Sequence, residues 1–143
     1  MYETTVTLQG YVGNEVTSRV AGDSVLASFR VACTPRRYQR TTETWVDGAT
    51  QWYGVTAWRA LADNCRQSLR RGDPVVVHGR LTVSTWVNRE GIEVSSLEVE
   101  ATHVGHDLTR GTAVFTKTPR AVPANEVEAE SEAATEAASE AAA

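Results

Sequence analysis

One segment constrains the fold more than any other: Arg70-Arg71-Gly72-Asp73-Pro74-Val75-Val76-Val77-His78-Gly79-Arg80-Leu81-Thr82-Val83-Ser84-Thr85-Trp86-Val87. Gly72, without a Cβ, suits the left-handed turn that ends a helix, and Pro74 cannot continue one. From Val75 the residues alternate with period two. Val75, Val77, Leu81 and Val83 form an apolar face. Val76, His78, Arg80, Thr82, Ser84 and Trp86 form a polar one ending in a large ring. At ~3.3 Å per residue the run from Val75 to Val87 spans roughly 43 Å, too long for a flat strand in a small domain. Gly79 is therefore expected to kink or bulge, as a strand does when it turns the corner of a barrel.

The remaining elements follow from the same periodicity. Val6, Leu8, Gly10 and Val12 alternate with Thr5, Thr7, Gln9 and Tyr11 in a first strand. Gly22-Asp23 marks a turn before a second strand, in which Val25, Ala27, Phe29, Val31 and Cys33 share one face and Arg30 points to the other. Residues 34–50 break the pattern and read as a long mobile hairpin connection. A third strand runs from about Gln51 to Trp58, with Tyr53, Val55 and Ala57 opposite Trp52, Gly54, Thr56 and Trp58. Between Arg59 and Arg71 the period changes, and Leu61, Ala62, Cys65 and Leu69 make a narrow helical stripe. Arg66, Arg70 and Arg71 lie near its C-terminus, where cations favour the helix dipole. After the long strand, Asn88-Arg89-Glu90-Gly91 turns into a last one. There Ile92 and Val94 hold one phase and Leu97, Val99 and Ala101 the other, which predicts a bulge at Ser95-Ser96. The order β-β-β-α-β-β predicts an all-β, five-stranded Greek-key barrel of the oligonucleotide/oligosaccharide-binding (OB) type, with one short helix between strands three and four. A five-strand sandwich is the competing architecture.

Charge is divided along the chain. Residues 1–120 hold fourteen basic and twelve acidic residues, a net of +2, whereas residues 121–143 hold six Glu and no cation. Thirteen of the fourteen cations are Arg, which forks onto phosphate and stacks on bases. Beyond Pro119 the composition falls to Ala, Glu, Ser and Thr, too little apolar surface to offset ordering. Residues 1–118 are accordingly expected to form the binding domain and residues 119–143 a disordered Ala/Glu-rich acidic tail. That tail acts either as a solubilising segment or as a weak electrostatic competitor for the basic surface. The chain has neither a long apolar run nor a basic-then-apolar leader, so the expectation is a cytoplasmic, nucleoid-associated protein without a membrane partner. Cys33 and Cys65 are too few for a disulfide framework and read as two small buried thiols, a bridge between them being the alternative.

A single-strand binder needs cations that track phosphates and exposed rings on which bases stack. The candidates are Arg30, Arg36, Arg37, Tyr38, Arg40, Trp52, Thr56, Trp58, Arg80 and Trp86. A tryptophan more often packs in a core. Here, however, placing the tryptophans inside would leave Tyr53, Val55, Leu81 and Val83 outside. His103-x-x-His106 has the spacing of a metal pair but lacks further ligands nearby. Asp63 reads as a solvated charge, and no serine elbow, phosphate loop or paired-acid arrangement occurs, so neither an enzyme nor a metal or cofactor is expected.

Three motifs together resemble the bacterial single-stranded-DNA-binding protein family. They are Gly10-Tyr11-Val12-Gly13, Trp52 through Leu61, and Leu69 through Leu81, and Trp86 falls where that family places a stacking tryptophan. The resemblance covers about residues 1–108 and implies that Trp52, Trp58 and Trp86 stack on bases, with Tyr38 near a further aromatic position. It also implies a homotetramer without metal or cofactor, serving replication, recombination and repair. Typical members close on an acidic Pro-Phe tip that docks partner enzymes. This sequence closes Ser139-Glu140-Ala141-Ala142-Ala143 and looks more like a secondary paralogue of high-GC Gram-positive bacteria. Enzyme recruitment is thus not carried over. The reading is sequence-independent binding of single-stranded DNA; the alternatives are a tetrameric OB scaffold for protein interaction and an RNA-binding OB protein.

Overall fold

Period-two runs of β-branched residues must bury one face against another layer, and here the sheet does so by closing on itself. A computed structural model describes residues 2–119. Its elements are β1 (Thr5–Val12), β2 (Thr17–Ala21), β3 (Ser24–Cys33), β4 (Arg36–Gln39), β5 (Thr44–Asp47), β6 (Gln51–Trp58), α1 (Arg59–Ser68), β7 (Pro74–Val87) and β8 (Glu93–His106). Strands run β1-β7-β8-β6-β3-β2, and a second pairing of Tyr11 and Val12 with Ala32 and Val31 joins β1 to β3 and closes the barrel. β6 and β8 pair in parallel and every other pair is antiparallel. The barrel strands β1, β3, β6, β7 and β8 with one intervening helix make the expected OB fold. Its unit spans Met1–Ala113, and a second unit comprises Val114–Ala143. The acidic segment falls almost wholly outside the described residues.

The inward faces are those the alternation assigns, except that Val83 lies on the arm beyond the core and is exposed, and Leu26, in the other phase of its strand, is buried. Leu8, Val12, Phe29, Val31, Val55, Ala57, Val75, Val77 and Val99 are buried, and α1 plugs one end with Ala62 and Cys65, followed by Leu69. Fully burying a side chain such as Val or Phe contributes about 1.5–3 kcal/mol. Both thiols are free, Cys65 buried and Cys33 half-buried. Burial pushes the Cys65 thiol up to about 11 and raises Cys33 less far.

Gly79 is the corner. The β7–β8 register shifts between His78 and Gly79, which face His103 and Ala101 and leave Thr102 as the extra residue. A Cβ at Gly79 would collide with the Glu100 carbonyl and the Ala101 backbone, so only glycine fits.

Four expectations need correction. The helix stops at Ser68, not Gly72, with Leu69 already extended (φ −100°, ψ 139°). Gly72 does take a left-handed φ of 92°, but in a separate turn whose Gly72 N–H donates to the Val12 carbonyl. Arg70 still serves the helix end, donating to the carbonyls of Arg66 and Leu69. Residues 34–50 do form a hairpin but one built of two further strands, β4 against β5, extending the β3–β6 ladder beyond the Thr34–Thr50 hydroxyl bond (2.7 Å). β2 forms an extra strand beside β3; its nearly all-exposed residues offer no alternation to read. Finally, Ser95 and Ser96 pair regularly with Thr85 and Ser84, so no bulge lies there. The phase change has another cause. Here β7 and β8 extend past the core as an arm, and Val94 sits opposite Trp86 on the outer face.

Candidate nucleic-acid interface

The outer face of β3, β6, β8 and β7 carries two registered rows. One runs Arg30, Gly54, Glu98, Thr82, and the next Ser28, Thr56, Glu100, Arg80, with Thr5 of β1 beyond. Trp52 and Trp58 stand at the two ends of β6 on this same face, 44% and 38% exposed. Trp86 is 46% exposed at the far end of the β7 arm. None of the three belongs to the buried core cluster.

Trp52 is held in place by its neighbours. The Arg30 guanidinium lies over the ring at 4.6 Å from its centroid. On another side the ring fills the space a side chain at Gly13 would need. The Gly13 N–H donates to the Arg30 carbonyl (2.8 Å) and the Arg30 N–H to Asn14 Oδ1 (2.8 Å), fixing the strand beneath. Trp58 precedes a sharp change of direction, because Arg59 at the start of α1 has a left-handed φ of 58°.

The β4–β5 hairpin presents a second aromatic station. Tyr38 and Trp45 face each other across the strands, ring centroids 5.7 Å apart and edge-to-face. Arg36 pairs with Asp47 at 3.2 Å. Arg37 and Arg40 are exposed and make no ion pair among the described residues.

Arg80 is placed differently from a free phosphate ligand. Its Nη1 meets Glu3 at 3.0 Å and its Nη2 meets Glu100 at 2.5 Å. Hydrogen bonds to Glu100 and then Glu3 raise its already high pKa. The cation is neutralised where it stands, so a phosphate could only take it by exchange.

Of the expected residues, Arg30, Trp52, Thr56, Trp58 and Arg80 thus share one sheet face. Arg36, Arg37, Tyr38 and Arg40 share the hairpin, and Trp86 stands alone on the arm. Sequence reasoning passed over Trp45, which the 40–43 turn places opposite Tyr38. Glu98 was passed over too, although its alternation with Leu97 and Val99 marks it as outward-facing. His103 and His106 do not converge: His103 lies beside the His78 ring, and His106 contacts Asp73 at 3.3 Å. No cluster of three or more metal-ligating side chains occurs among the described residues.

The architecture has known counterparts. Residues 3–107 match the model of the single-strand binding protein family. The chain is 41% identical over 113 residues to single-stranded DNA-binding protein 2 of Tropheryma whipplei, covering 78% of this chain and 74% of that one. It is 43% identical over 120 residues to single-stranded DNA-binding protein 1 of Streptomyces coelicolor, covering 84% and 76%. The crystal structure of the small single-stranded DNA-binding protein of S. coelicolor superposes with a TM-score of 0.72 at 41% identity, covering 78% of this chain and all of that one. The second single-stranded DNA-binding protein of Mycobacterium smegmatis gives 0.62 at 34% identity, covering 81% of this chain and all of its own. With its outer face of exposed tryptophans and arginines and a family match over the whole barrel, this chain belongs to the single-strand binding protein family.

Proposed function

We propose that the protein binds single-stranded DNA without strong sequence preference, as part of replication, recombination and repair, and that it acts as a binding protein rather than an enzyme. The observation that carries the reading is Trp52, half-exposed on the barrel face with the Arg30 guanidinium against its ring. A flat, cation-flanked ring of this kind is a platform for any base, because every base has a π face. Trp58, Trp86 and Tyr38 supply further stacking positions, Thr56 a hydroxyl between them, and Arg30, Arg36, Arg37 and Arg40 the charge that follows the phosphates. Arg80 contributes by pairing with Glu3 and Glu100, which offsets part of their repulsion of phosphate. The working unit is residues 1–118, assembled as a homotetramer, and residues 119–143 add an acidic tail. The family membership supports that assembly. A cytoplasmic site of action near the nucleoid fits a chain in which no helix among the described residues is long and apolar enough to cross a membrane.

The test is tryptophan fluorescence titrated with oligo(dT), with oligo(U) as competitor and light scattering for the assembly. Stacked indoles quench strongly. An unchanged signal at low salt would leave the scaffold reading in its place, and tighter binding of oligo(U) would assign RNA.

A further inference from the structure

An open depression of about 220 Å³ lies between the β1–β2 connection and the sheet, lined by Asn14, Ser28, Arg30, Gly54 and Glu98 over Phe29 and Val55. Arg30, which borders it, also borders Trp52, so a base leaving the ring has this depression beside it.

Glu98 is the unusual member. Its side chain folds over Gly54, where a Cβ would meet the carboxylate oxygens. Oε1 accepts a hydrogen bond from Ser96 at 2.9 Å. Unlike Glu3 and Glu100, it has no cation within ion-pairing distance among the described residues. An unpaired carboxylate in the middle of a surface meant for a polyanion repels phosphate. The strand must therefore pass with base edges, not phosphates, toward it. A carboxylate offers acceptors only, so it discriminates among edges. Guanine presents two adjacent donors, N1–H and the N2 amino group, which match the two oxygens. Cytosine and adenine present one amino group each. Thymine presents a single N3–H flanked by two carbonyl oxygens that face the carboxylate unfavourably.

We propose that this depression is a base-reading subsite in which Glu98 selects guanine, giving an otherwise sequence-tolerant surface one preferred position. The proposal rests on the single-stranded DNA reading above. Its ligand is a guanine base within a strand, taken by its Watson–Crick edge, with Asn14 and Arg30 on the opposite rim.

The experiment compares the full chain with its Glu98→Gln variant in competition binding to three oligonucleotides: all-dT, the same length with one central dG, and the same with deoxyinosine there. Inosine keeps N1–H and lacks the N2 amino group. The wild-type chain should favour the dG oligonucleotide roughly 5- to 10-fold over all-dT, near the low end for a bidentate side-chain–base pair. Inosine should forfeit most of that gain. In Glu98→Gln the preference should vanish while all-dT affinity rises, since a repulsive charge is gone. Equal wild-type affinity for dG and dT, or a preference surviving in Glu98→Gln, would overturn the subsite while leaving single-strand binding intact. Failure to bind any of the three would instead overturn the function on which it rests.

Discussion

Replacing Trp52 by Ala removes a stacking platform and the seat of Arg30 together, and the two losses can be separated. A base stacked on an aromatic ring is worth ~1–3 kcal/mol. At about 1.4 kcal/mol per tenfold, that is roughly a 5- to 150-fold loss of affinity for oligo(dT). The cation–π contact at 4.6 Å adds a coupling between the two side chains, typically ~0.5–1 kcal/mol at an exposed site. Arg30→Ala should therefore cost about 2- to 5-fold less affinity in the Trp52→Ala background than in the wild type. The barrel should survive, because Trp52 lies outside the buried cluster. Loss of ~1 kcal/mol lowers the melting temperature of a domain this size by about 4–8 °C. Competition binding by fluorescence anisotropy measures the affinities, and circular dichroism the melting. A folded Trp52→Ala protein with undiminished affinity refutes the stacking role. Strictly additive single and double variants refute the Arg30 coupling, and a collapse in melting temperature would make Trp52 a core residue.

Other expectations are more compact. Gly79→Ala should cost roughly 1–3 kcal/mol by overpacking against the Glu100 carbonyl; an unchanged denaturation midpoint would show that the bulge yields. Log affinity should fall with log salt by ~0.7 per phosphate neutralised on a single strand; Arg37→Ala or Arg40→Ala should reduce the slope by about that much, and Arg80→Ala, already paired with Glu3 and Glu100, should not. Cys65 should resist thiol reagents at pH 8 until the protein unfolds, since burial lifts it from 9.0 to about 11. That shift favours the folded state while the thiol is neutral, so its contribution is full below pH 9 and declines as pH rises from 9 toward 11. Flat stability across that range would contradict it.

What the sequence made legible was whatever the core enforces. The alternation at Val75, Val77 and Val99 is a direct record of burial, and these positions are fully buried. Gly79 was readable because a long strand in a small barrel must bend. Where no core stands behind a strand, alternation loses its meaning. The β7–β8 arm therefore gave a false bulge at Ser95-Ser96, the exposed β2 gave no signal, and the β4–β5 hairpin looked like a loop. The helix end was misplaced because Gly72 is left-handed for the sake of its own turn, donating to Val12. Within the site, residue type and phase sufficed to place the tryptophans outward. The partners of Arg80 could not be read, since Glu3 and Glu100 lie seventy-seven and twenty residues away along the chain.

The two kinds of exposed group on this face answer different questions. Exposed rings are costly: burying a large apolar side chain would contribute about 1.5–3 kcal/mol, and the barrel leaves Trp45, Trp52, Trp58 and Trp86 at least 38% exposed while filling its core with Phe29, valines and alanines. On the proposed reading, rings left outside in this way are where bases rest. Carboxylates define where phosphates cannot. Arg80 offsets one of the two negative charges of Glu3 and Glu100, whereas Glu98 has no cation within ion-pairing distance among the described residues. Arg37 and Arg40, without an ion pair among the described residues, lie on the hairpin with Tyr38 and Trp45. A strand following least repulsion would thus hold its phosphates toward the hairpin and turn its bases inward, over Trp52 and toward Glu98.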